Sequence, residues 1–222
     1  MDDRKSIWGL IAIPSVITLA ITVLRLVGEL ERWPSPWFNN SAGGGAAIIG
    51  ISWLPILFGP WFARQLVRSG DAPASGLKAV GLAFLAAAIW MGGTVWLQSM
   101  FAHLTYLALV PCVLMLAAAF VPGIGWPSLG KTLLAYAFAA RLPVLVVMFL
   151  AMSANNGKGW GTHYDAIGPA FASSSFARKY LYEAFVPQMT LWIGWTVAVG
   201  AIFGSVTGAL ARAGKRTAPA GA

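Results

Sequence analysis

An all-α, polytopic integral membrane protein with about six transmembrane helices is the fold class this sequence predicts. Two observations carry that reading. Of 222 residues, 58% are hydrophobic and only 10% charged, where a soluble domain carries about 25% charged residues to keep its surface wet. The apolar residues also fall into runs long enough to cross roughly 30 Å of hydrocarbon, which takes about 20 helical residues.

The predicted spans lie near 6–27, 44–67, 77–97, 102–121, 129–152 and 184–210, in one transmembrane domain covering 1–216, with 217–222 as a disordered tail. The first span follows Asp2-Asp3-Arg4-Lys5 and is longer than a signal-peptide core of about 7–15 residues, so it reads as a retained helix. The third and fourth arise from one nearly continuous apolar stretch, residues 77–121, which as a single helix would be about twice the thickness of the hydrocarbon core. It has to fold back, and the polar cluster Gln98, Ser99 and His103 marks the turn. Prolines fall inside five spans, at Pro14, Pro55, Pro60, Pro111, Pro143 and Pro187, and predict kinks there, since each frees a carbonyl four residues upstream.

Charge sets the expected direction. With six spans, Arg4, Lys5, Arg64, Arg68, Lys78, Lys131, Arg212, Lys215 and Arg216 share the side of both termini. Arg25, Arg32, Lys158, Arg178 and Lys179 lie on the other, and Arg141 stays inside. The excess puts the N and C termini in the cytoplasm. It also explains the net charge of +8 without nucleic acid as a partner. The lipid bilayer is the expected partner, and compact loops make the plasma (inner) membrane of a bacterium the expected location.

Most extramembrane chain falls on the outer side, in residues 29–43 and 153–183. Within the latter, residues 169–182 predict a short interfacial helix, with Phe176 and Tyr180 on one face. In the last span Gly200, Gly204 and Gly208 recur at every fourth position, a smooth stripe that lets another backbone approach, either in this chain or in a second copy or partner subunit. Ala46 and Gly50 form a weaker version in the second span.

Arg141 is the first candidate for function. A guanidinium near the bilayer centre costs at least about 2.5–3.5 kcal/mol on insertion scales, so it has to face the bundle and find partners. The carbonyl of Ala139, freed by Pro143, is one expected acceptor, and an anion, a lipid head group or water is another. Glu183, Glu29 and His103 are the other candidate buried polar contacts, and His163, Tyr164, Asp165, Asn155 and Asn156 are candidates on the outer loop. Arg25 and Glu29, four apart, predict a helical ion pair.

His103, His163 and Asp165 are the only residues that suggest a three-ligand metal site, and their spacing matches no metal motif, so neither metal nor cofactor is expected. Cys112 is the sole cysteine, which excludes an intramolecular disulfide. No nucleophile elbow, phosphate loop or dinucleotide fingerprint occurs, and no catalytic residue is assigned. The function ranked first is therefore a non-catalytic subunit or binding protein of a membrane assembly. A small-solute transporter or channel with Arg141 in its pathway ranks second, and a membrane enzyme acting on lipid-like substrates third.

Overall fold

The computed structural model describes residues 6–45, 47–100 and 108–217, with side chains to Ala213. The described residues are helical with no strand: α1 (Ile7–Leu30), α2 (Leu54–Arg68), α3 (Gly76–Ser99), α4 (Leu109–Ala118), α5 (Pro122–Gly125), α6 (Pro127–Gly157), α7 (Phe176–Lys179), α8 (Val186–Met189) and α9 (Leu191–Thr217). Four stretches are long and apolar enough to cross a membrane: α1, α3, α6 and the run Phe176–Ala213. Outward-facing side chains such as Ile13, Val16, Leu57, Val113 and Val146 are exposed, and in lipid they need no polar coat.

Local chemistry sets the helix ends. Ser6 caps α1 by accepting from the Gly9 N–H at 3.1 Å, and Ser75 caps α3 by accepting from Lys78 at 3.3 Å. Ahead of α6, Trp126 is extended and Pro127 occupies the first turn, where its missing N–H is harmless. At the far end Asn155 and Asn156 take left-handed conformations, φ 53° and 57°, and turn the chain out of the helix.

Three spans differ from the sequence expectation. The sequence places the second at 44–67, yet its helix starts only at Leu54 and is 15 residues long, roughly 22 Å at 1.5 Å per residue. Gly43, Gly44 and Gly45 all have positive φ, and the segment that follows is tied across to the preceding loop by Ile48 N–H to Pro36 O and Ile49 N–H to Trp37 O, each 3.0 Å. Hydropathy registers the apolar side chains here but not the backbone. Of the fourth span, expected at 102–121, residues 102–107 lie outside the described residues, and the rest is a broken pair, α4 and α5, within Leu109–Gly125. The sixth, placed at 184–210, is helical from Phe176 to Thr217. It passes through a π-helix at Tyr180–Phe185, just where Pro187 cannot donate to the carbonyl of Glu183. The proposed interfacial helix at 169–182 is a 3₁₀ turn, Pro169–Phe171, followed by α7, with Phe176 and Tyr180 stacked at 6.2 Å. His103, Ala46 and residues 218–222 lie outside the described residues, while Thr217, expected to begin a disordered tail at 217–222, ends α9.

The core sits around α9. Its glycine stripe is used within the chain: a Cβ on Gly59 of α2 would come within 2.2 Å of the Gly200 carbonyl oxygen, and Cβ atoms on Gly200 and Gly208 would meet Leu133 and Trp126. At this end Trp126, buried, donates from Nε1 to Asp71 Oδ1 at 2.9 Å, and Ser128 Oγ donates to the other carboxylate oxygen. Arg212 donates to the carbonyls of Pro73 and Ala74. Every polar group named here has a partner.

Candidate functional site

At the opposite end, where α1 and α6 finish, the packing opens into a cavity of ≈ 240 Å³. The irregular segment ahead of α2 supplies its rim through Gly43 and Gly45, both exposed, and one wall through Ala47, Ile51 and Ser52. In a membrane, backbone that is not helical is tolerated only beside protein or a cavity. Its free groups are met from α9, where Trp195 donates from Nε1 to the Ser52 carbonyl at 2.7 Å. Gly44 lies close to Arg25: a Cβ there would come within 2.5 Å of Arg25 Nη2, and its φ of +76° favours glycine.

Arg141 lines the cavity from the middle of α6 and is 4% exposed. Its Nη2 donates to Thr196 Oγ1 at 3.3 Å, and its guanidinium lies over the Trp192 ring at 4.8 Å. Its Nε has no hydrogen-bond partner, and the arginine forms no ion pair among the described residues. The expected bond to the Ala139 carbonyl does not form; Thr196, from the neighbouring α9, takes that role.

Gln188 and Glu183 face the same cavity from the kinked run leading into α9. Gln188 is 8% exposed, its Nε2 reaches only Met148 Sδ at 3.7 Å, and its Oε1 has no partner. Glu183 Oε1 accepts from the Gly168 N–H at 3.3 Å. A buried polar atom without a partner costs about 1–3 kcal/mol, and Arg141 and Gln188 leave two of them, a donor and an acceptor, in one cavity.

A saturated network holds the upper wall. Glu29, fully buried at the end of α1, accepts from Arg25 Nε at 2.9 Å, from the His163 N–H at 2.9 Å, and meets His163 Nδ1 at 2.6 Å. Arg25 also donates to the Gly44 carbonyl at 2.8 Å. Burial, the largest influence, and the nearby Arg25 cation hold His163 below its ordinary pKa, against the opposing pull of Glu29 and Asp165. Burial pushes the Tyr164 phenol up, and its hydroxyl donates to the Thr22 carbonyl at 3.3 Å.

Arg141, Glu183, His163 and Tyr164 are thus brought together, and Glu29 supports them from behind. Asp165 and the two asparagines are not in the cavity. The Asp165 carboxylate staples its own loop, accepting from Gly161 N–H at 2.8 Å and Thr162 N–H at 2.9 Å, and Asn155 donates to the Gly159 carbonyl at 2.8 Å. No cluster of three metal-ligating side chains occurs among the described residues. Gln188, Trp192 and Thr196 escape sequence reading, because neutral polar and aromatic residues are ordinary in membrane helices.

Phe58, Phe62 and Tyr136 do not line the cavity. They form a buried aromatic cluster with ring centroids 5.4–6.4 Å apart, and the Tyr136 hydroxyl shares a 2.8 Å hydrogen bond with Thr18. Comparison with protein-family models, curated proteins and solved structures finds nothing that matches this chain.

Proposed function

We propose that this chain is a small-solute carrier or solute-binding protein of a bacterial plasma membrane, whose cavity takes a solute by its anionic group. One observation carries the reading: Arg141 is buried, forms no ion pair among the described residues, leaves its Nε without a partner, and meets a cavity with an exposed glycine rim. A charge at such a position is costly unless something neutralises it, and a guanidinium suits carboxylate or phosphate.

In this reading the chain crosses the bilayer six times with both termini in the cytoplasm. The irregular segment and α2 together make one discontinuous crossing, the arrangement by which transporters expose backbone and helix ends to a solute near mid-membrane. The cavity then opens outward, and the Phe58–Phe62–Tyr136 cluster is the inner barrier. A role as a subunit draws less support, because Gly200, Gly204 and Gly208 pack against this same chain.

Proteoliposomes holding the full chain test the proposal. Saturable counterflow of labelled small carboxylates is expected, and Arg141→Leu should abolish it. Uptake no greater than in empty liposomes, or uptake that survives Arg141→Leu, would contradict a carrier built around this arginine.

A further inference from the structure

The charges lining the cavity are not all used in the same way. Arg25 is paired with Glu29, which also holds His163. Arg141 and Glu183 have no ion-pair partner among the described residues, so the cavity carries one uncompensated cation and one uncompensated anion. Gln188, five residues beyond Glu183, presents a buried Oε1 with no donor. A simple carboxylate would answer Arg141 but bring no donor for Gln188 Oε1. It would leave Glu183 unanswered as well. A dicarboxylate would set like charges together at Glu183. A simple amine would leave Arg141 unpaired.

Resting on the anion-site reading above, we infer that the cavity takes a small zwitterion, an ammonium joined through a short linker to a carboxylate or phosphate. The anionic end lies on Arg141, and the ammonium lies against Glu183 and Gln188 Oε1. An ammonium has three donors and no acceptor, which fits a carboxylate and an amide oxygen lining one cavity. The cavity of ≈ 240 Å³ has room for about eight waters at about 30 Å³ each. A short amino acid or a phosphoethanolamine group fits that space, and it lies below the roughly 300–1,000 Å³ of sites for drug-sized ligands. The π-helix at Tyr180–Phe185 lies on the run that carries Glu183 and Gln188 into the site, and such turns recur at functional sites.

Calorimetric titration of the full chain in detergent micelles distinguishes the possibilities, with glycine, β-alanine, 4-aminobutyrate and phosphoethanolamine against acetate and ethylamine. At least one zwitterion is expected to bind about tenfold or more tightly than acetate and ethylamine, one ion pair's worth of discrimination. Preference for phosphoethanolamine would identify a lipid-derived head group, and preference for an amino acid a free solute. In Glu183→Gln, the ratio of zwitterion to acetate affinity should collapse towards one. If acetate binds as tightly as every zwitterion, or if the ratio survives Glu183→Gln, the zwitterion inference falls while the anion site stands. If no probe binds, both fall.

Discussion

The two ends of the bundle are built from the same kinds of residue and differ in how completely their polar groups are used. At the end where α1 starts, Asp71 is shared by Trp126 and Ser128, Arg212 is spent on two carbonyls, and glycines bring α2 and α9 into backbone contact. At the end where α1 finishes, Glu29 is as thoroughly satisfied, but a few residues away Arg141 Nε and Gln188 Oε1 are left over beside empty space. Unpaired buried polar atoms cost stability, and a site that a ligand, ion or water completes is one reason for a protein to keep them. A closed end fixes the fold, and an open end holds what the fold leaves unfinished.

That difference breaks most visibly at Glu29. Glu29→Ala strands Arg25 and His163 around a buried void, and losing one partner of a buried charged network costs about 3–5 kcal/mol. Chemical unfolding in detergent is expected to show a loss of that size, larger than for any exposed carboxylate such as Glu31.

Gly59→Ala probes the closed end. Its Cβ would meet the Gly200 carbonyl oxygen at 2.2 Å, a backbone atom that cannot swing aside, and overpacking of this kind costs about 1–3 kcal/mol. At Gly81, with nothing within 4 Å of a new Cβ, alanine is expected to be neutral or stabilising by up to about 1 kcal/mol through helix propensity. Equal effects at the two glycines would mean that α2 and α9 are not in contact.

The smallest effect is that of pH on His163. Arg25 and Glu29 face it from α1, and Asp165 faces it from its own loop. Its pKa in the folded chain is lowered, so below about 6.5 the unfolded chain binds more protons than the folded one. Stability is therefore complete above that pH and falls on acidification, by at most about 1.4 kcal/mol per pH unit. His163→Gln should flatten that part of the stability profile.

Much of the fold was legible in the sequence, for a physical reason. α1, α3, α6 and most of the last run are apolar for 20 residues or more, and hydropathy reads that directly. Arg141 stood out because a charge inside such a run is rare. The Arg25–Glu29 pair followed from helical spacing alone. What escaped depends on backbone and on distance. The glycine run 43–45 and the ties from Ile48 and Ile49 delay the second helix to Leu54, although the side chains there are as apolar as any span. His163 joins Glu29 across 134 residues, and Gln188 reaches the cavity through a π-turn, neither of which has a local periodicity to reveal it.

Arg141 decides between a site and a strut. An uncompensated buried charge is costly to keep, and the Thr196 bond and the Trp192 contact offset part of that cost here. The thermal midpoint of Arg141→Leu, measured in ligand-free detergent solution, should therefore equal or exceed that of the unsubstituted chain. A midpoint lowered by several degrees would mean that the guanidinium holds the helices together and waits for no solute.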